Sequence, residues 1–142
     1  MDTPESAHDA LVALLQKQEF LPREAPQIAS SIATQAEHMA LPTPSLSLCR
    51  RIRDVVVRFQ PKRLVEVNPG IGLLTSWLLD SWENKFWNPI EHHLVERGGK
   101  FGVILQRQIQ RYSDVKHVSL HIADYTRLVA ESQAAGKIEN NT

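Results

Sequence analysis

The 142 residues balance 16 basic side chains against 16 acidic ones, with a pI near 7.0, so net charge singles out neither a nucleic acid nor an anionic membrane surface as partner. The length suits one domain around a single core. Cys49 is the only cysteine, which excludes an intrachain disulfide and cysteine-held zinc; it reads as a small buried apolar residue.

No apolar run approaches the roughly 20 residues of a membrane span. The opening Met1-Asp2-Thr3-Pro4-Glu5 lacks the basic and apolar parts of a secretory signal. The expectation is therefore a soluble, intracellular chain without membrane contact, cytoplasmic, or mitochondrial if a presequence has been removed.

Three helices are predicted in the first sixty residues. Their apolar stripes are Leu11, Leu14 and Leu15, then Ile28, Ile32, Ala36 and Met39, then Leu48, Ile52, Val55, Val56 and Phe59. Breaks fall at Leu21-Pro22 and at Leu41-Pro42-Thr43-Pro44, because proline restricts the residue before it and offers no N–H. Thr43 is placed to cap the third helix, with Pro44 at its first position. Arg50, Arg51 and Arg53, with Lys62 and Arg63, read first as a solvated face and second as a phosphate contact.

From Lys62 the pattern alternates between strand and helix. Leu64, Val65 and Val67 make a short strand that ends in the turn Asn68-Pro69-Gly70-Ile71-Gly72. A helix follows with Leu74, Trp77, Leu78 and Trp82 on one side, then a polar, aromatic connection from Glu83 to Ile90. His92 to Glu96 is the second strand. Gly98-Gly99 opens a helix with Phe101, Ile104, Leu105, Ile109 and Tyr112 at helical spacing. His117 to Ile122 is the third strand, with Val118, Leu120 and Ile122 on one face. A short helix is expected over Tyr125 to Ala135, with a frayed tail beyond. This divides the chain into a helical extension (1–43), an α/β half-domain (44–135) and a tail (136–142).

Alternating strands and helices predict a partial Rossmann-like α/β fold: a parallel sheet of about three strands with flanking helices. Ligands of such sheets sit beyond the carboxyl ends of the strands. There the sequence places Glu66, Glu96 and Asp124, one at each strand end, with a glycine turn after the first. Gly70 and Gly72 let the backbone turn sharply and approach a ligand. Glu96, 24 residues after Gly72, stands where a carboxylate holds ribose hydroxyls. Asp124 stands where a carboxylate accepts from an exocyclic amine, or else caps the next helix.

These residues resemble class I S-adenosylmethionine-dependent methyltransferases over about residues 44–130. The stretch EVNPGIGLLT, with Asn68 where the family's first glycine stands, is most similar to the rRNA adenine dimethyltransferases and their mitochondrial transcription factor B relatives. LVE (Leu94 to Glu96) matches the second motif, and IADY (Ile122 to Tyr125) the third. The resemblance implies an S-adenosylmethionine site. Glu66, Asn68, Gly70 and Gly72 would line its methionine side, Glu96 would bind ribose and Asp124 would border adenine.

Two departures qualify this. Gly98 stands where the family usually carries another polar residue, and no motif like Asn-Leu/Ile-Pro-Tyr, the family's catalytic signature, occurs. The expectation is a cofactor-binding domain incomplete for catalysis by itself, with an RNA or ribonucleoprotein partner and with a second copy or another chain covering the open sheet edge. The alternative is a non-catalytic interaction module.

The six histidines do not predict a metal site. His92 and His93 would point to opposite faces, and His117 and His121 would lie roughly 13 Å apart along a strand at about 3.3 Å per residue. His92 and His93 read as partly exposed edge residues. Trp77 reads as core; Trp82 and Trp87 read as candidates for an exposed aromatic contact.

Overall fold

The computed structural model describes residues 6–16 and 21–140, the side chains of 14–16 and 136–140 excepted. Three helices, α1 (Ala7–Gln16), α2 (Gln27–His38) and α3 (Leu46–Phe59), precede β1 (Arg63–Val67). Then come α4 (Leu73–Glu83), β2 (Glu91–Glu96), α5 (Gly99–Ile109), β3 (Val118–Ile122) and α6 (Tyr125–Asn140). The sheet has the order β1-β2-β3 and is parallel throughout. The expected partial Rossmann-like architecture is present.

Alternation along the strands divides the sheet into two unlike faces. Leu64, Glu66, His92, Leu94 and Glu96 point toward α4 and α5. Leu94, Leu79, Leu105, Ile109 and Tyr112 form one core cluster there, and Val56, Leu78 and Trp87 a second. Val65, Val67, His93, Val95 and His121 occupy the other face, on the side of α6. α4 is the central helix, with Leu73, Thr75, Ser76, Trp77, Leu78, Leu79 and Ser81 all buried. Its buried serines satisfy themselves within the helix: Ser76 donates to Leu73 O and Ser81 to Trp77 O. The helical extension shares this core, because Ala29, Ile32 and Ala36 of α2 pack with Cys49, Ile71, Leu73 and Trp77.

Several expectations are corrected. The cap of α3 is Ser45, whose hydroxyl accepts from Leu48 N at 3.1 Å; a serine supplies the acceptor two residues after Thr43. The buried stripe of α3 is rotated. Cys49, Arg53 and Val56 face inward while Leu48 and Phe59 are exposed, and the ring face of Trp77 receives the Arg53 guanidinium. Arg53 lies 5.1 Å from that ring, pairs with Asp54 at 2.8 Å and donates to Pro22 O; of the basic cluster it is neither solvated nor available to phosphate.

Trp87 is buried, and its indole N–H donates to Pro61 O at 2.9 Å, so it is no surface contact. Trp82 lies against His117, ring centroids 4.6 Å apart. His92 is fully buried on the central strand, where an edge position was expected. α6 continues through Gly136 to Asn140. Leu11 is exposed, while Leu14 and Leu15 carry side chains outside the described ones.

Candidate functional site

β1 runs into the glycine turn at the carboxyl end of the sheet. Asn68 continues the ladder, its N–H donating to Val95 O at 2.9 Å. The backbone then alternates handedness, with φ of 56° at Asn68, 63° at Gly70 and 96° at Gly72. Asparagine tolerates the left-handed conformation better than other side-chain-bearing residues, which explains how Asn68 stands in a glycine's place. Ile71, buried between the two glycines, anchors the turn in the core. Gly72 serves as the N-cap of α4.

The glycines differ in their surroundings. A Cβ on Gly72 would lie 2.7 Å from Leu105 Cδ1, whereas one on Gly70 would meet nothing within 4 Å. Gly72 is therefore required by packing, and Gly70 leaves open space over the turn.

Glu96 closes β2 behind the turn and is only 4% exposed. One carboxylate oxygen accepts from Gly70 N at 3.2 Å and the other from Gly98 N at 3.3 Å, at the start of α5. The residue thus ties the turn to the neighbouring helix. A carboxylate has about four acceptor positions, so two remain.

Glu66 is held from the inside. Thr75 Oγ1 donates to one oxygen at 3.0 Å, and His92 Nε2 lies 2.6 Å from the other. It also sits near Cys49, whose thiol is pushed up to about 11, first by burial and then by the Glu66 charge.

Asp124 follows β3 at the same end of the sheet. Its Oδ1 accepts from Arg127 N at 3.2 Å, capping the first turn of α6, and Oδ2 lies 3.7 Å from Arg97 Nε. With its side chain 42% exposed, Asp124 is the most open of the three carboxylates. A cleft of about 330 Å³ alongside β1 is lined by Glu66, Asn68 and Pro69 together with Val56, Leu74 and Leu78.

Glu66, Asn68, Gly70, Gly72, Glu96 and Asp124 therefore gather at the carboxyl ends of the three strands. The partners of Glu66 were not legible in the sequence: Thr75 lies in the first turn of α4, and His92 on the next strand. A second group was also missed. His93 and His121 meet across β2 and β3, Nδ1 to Nε2 at 3.0 Å, with Glu91 Oε2 3.3 Å from His93 Nε2. Periodicity put both histidines on strands, but only the parallel pairing of β2 and β3 brings them together, as diagonal neighbours, His93 level with Ser119 and His121 with Val95.

With this geometry in view, solved structures supply the comparison. A methyltransferase from Geobacter sulfurreducens superposes with a TM-score of 0.64 at 17% identity, over 86% of this chain and 60% of its own. TomG of Streptomyces achromogenes, an O-methyltransferase of tomaymycin synthesis solved with SAM, superposes with a TM-score of 0.63 at 14% identity, over 92% of this chain and 56% of its own.

The chain has a methyltransferase-type fold. It spans somewhat more than half the length of those two structures. No protein-family model and no curated protein matches the sequence. These structures lend no support to the likeness to RNA dimethyltransferases, which rests on the sequence motifs alone. No helix among the described residues is long and apolar enough to cross a membrane.

Proposed function

We propose that this chain is an S-adenosylmethionine-binding, methyltransferase-like module. The observation that carries the reading is the turn from Asn68 to Gly72, left-handed at three alternate residues and backed by the Glu96 carboxylate at the end of the adjacent strand. Bound there, S-adenosylmethionine would supply an electrophilic methyl group. The chain's own residues do the rest. Gly70 leaves room for close approach to the backbone, and Glu96 has acceptor positions left for ribose hydroxyls. Asp124, exposed beside Arg97, can accept from an exocyclic amine. Glu66 supports from behind, fixing the root of the turn through Thr75 and His92. Methyl transfer then depends chiefly on orientation of the acceptor.

An RNA acceptor is the finer reading, supported by the EVNPGIGLLT wording. The runner-up, a non-catalytic interaction module, is favoured by β1 lying at the sheet edge with Val65 and Val67 about half exposed; a partner chain or second copy would cover them.

Calorimetric titration with S-adenosylmethionine tests the main reading. Saturable heat that disappears in Glu96→Ala is the expected result. A folded wild-type chain that gives no heat overturns it and leaves the interaction module.

A further inference from the structure

The face of the sheet turned toward α6 carries a polar chain that the cofactor reading does not use. Arg63 Nε lies 3.2 Å from Glu91 Oε2, the same oxygen lies 3.3 Å from His93 Nε2, and His93 Nδ1 lies 3.0 Å from His121 Nε2. With both imidazoles in the neutral form, hydrogen-bond accounting gives the chain one direction. The Glu91 carboxylate, paired with Arg63, can only accept, so His93 Nε2 carries the proton. The remaining nitrogen of neutral His93, Nδ1, is then an acceptor, so His121 must donate from Nε2. This leaves the lone pair of neutral His121 on Nδ1, which has no partner among the described residues.

The same geometry excludes chelation of one ion by the two rings as they stand. Centroids 5.2 Å apart with nitrogens 3.0 Å apart put both nitrogens close to the line joining the ring centres. The two nitrogens face each other head-on, as donor and acceptor of one hydrogen bond, and do not converge on a third point.

Both histidines line a cleft of about 510 Å³ whose walls are otherwise Val65, Val95, Tyr125, Leu128 and Val129, with Ser132 and Gln133 also contributing from α6. The volume is in the range of small-molecule sites, and a few placed polar groups in an apolar cleft are their usual composition. We propose that this cleft binds a phenol-like compound, an apolar planar body whose hydroxyl donates to His121 Nδ1.

A planar body fits between a sheet face and a helix. A phenolic hydroxyl is a stronger donor than an aliphatic one, and it suits a site that offers a single oriented acceptor and no fixed cation within it. Arg63 is outside, neutralised by Glu91 at the exposed end of the chain. The site shares no residue with the glycine turn and does not rest on the cofactor reading.

Naphthol and methoxynaphthalene are matched probes, because the second keeps the apolar body and lacks the donor. Fluorescence titration of the full chain is expected to show naphthol binding roughly tenfold tighter, the worth of one well-placed hydrogen bond. Imidazole nitrogen shifts in NMR are expected to report Nε2–H on both His93 and His121, with His121 Nδ1 moving on naphthol addition. His121→Phe removes the preference for naphthol, while His121→Asn, whose amide oxygen takes the place of Nδ1, retains it. If His121→Phe does not fold, Glu91→Gln tests the same point from an exposed position: an amide no longer forces the tautomers, and the preference weakens. Equal affinity for the two probes, an Nδ1–H tautomer at His121, or full preference in a folded His121→Phe or Glu91→Gln chain overturns the proposal.

Discussion

Gly72→Ala tests whether the turn is held by backbone conformation and packing together. A φ of 96° is a conformation that side-chain-bearing residues rarely adopt, and holding one there costs about 1–2 kcal/mol. The same Cβ would stand 2.7 Å from Leu105 Cδ1. Leu105 is fully buried among Leu79, Leu94, Ile109 and Tyr112, so it cannot yield toward solvent, and overpacking of this kind adds about 1–3 kcal/mol.

The expected loss is therefore roughly 2–5 kcal/mol, a large share of the 5–15 kcal/mol that holds a typical domain together. In Gly70→Ala only the conformational part applies, because nothing lies within 4 Å of the new methyl; its loss is expected at about 1–2 kcal/mol. Equilibrium urea denaturation measures both, read as a shift in midpoint at unchanged slope. Truncating Leu105 to Ala in the Gly72→Ala background should recover part of the clash, visible as non-additivity in a double-mutant cycle. Equal losses for the two glycines, or strict additivity with Leu105, would refute the packing half of the reasoning.

Three further outcomes follow from the site. Glu66→Leu leaves His92 Nε2 and Thr75 Oγ1 buried without their acceptor, so denaturation should show a loss of roughly 2–4 kcal/mol; a loss below 1 kcal/mol would mean that these contacts are not formed. Cys49, buried and with its thiol raised to about 11, should resist alkylation by iodoacetamide at pH 8 in the native protein and react once urea unfolds it; rapid native labelling would contradict the packing of α3.

His117 has its proton affinity lowered by burial, and further by His92. The unfolded chain therefore binds the proton more tightly, and stability should fall as pH drops below the ordinary histidine range. Thermal melts from pH 8 downward should show this decline, reduced in His117→Gln, and an unchanged pH profile in that variant would assign the effect to another group.

Much of the architecture was legible in the chain because it rests on local physics. Helical spacing from Phe101 to Tyr112 marks the side of α5 that packs inward, with Leu105, Ile109 and Tyr112 buried, and burial of one side is what periodicity records. The strand at Leu64 to Val67 was legible from its β-type residues, although Glu66 is its buried member and Val65 and Val67 are about half exposed. The glycine turn and the carboxylates at the three strand ends were placed by the same means.

The roles of individual polar residues depended on neighbours distant in sequence. Arg53 became a core residue because Trp77 and Asp54 receive it, and Trp87 because Pro61 O accepts its N–H. Spacing within β2 and β3 separately showed no histidine pair; the parallel pairing of the two strands makes His93 and His121 diagonal neighbours, with ring nitrogens 3.0 Å apart. The sequence by itself determined the order of elements, the parallel α/β plan and the end of the sheet where a ligand belongs, since these follow from periodicity and turn chemistry within a few residues. Tertiary structure alone decided that Glu66 and Glu96 are braced from within, that Asp124 is the open carboxylate and that a second polar chain crosses the opposite face, because hydrogen bonds and burial are made between segments that only folding brings together.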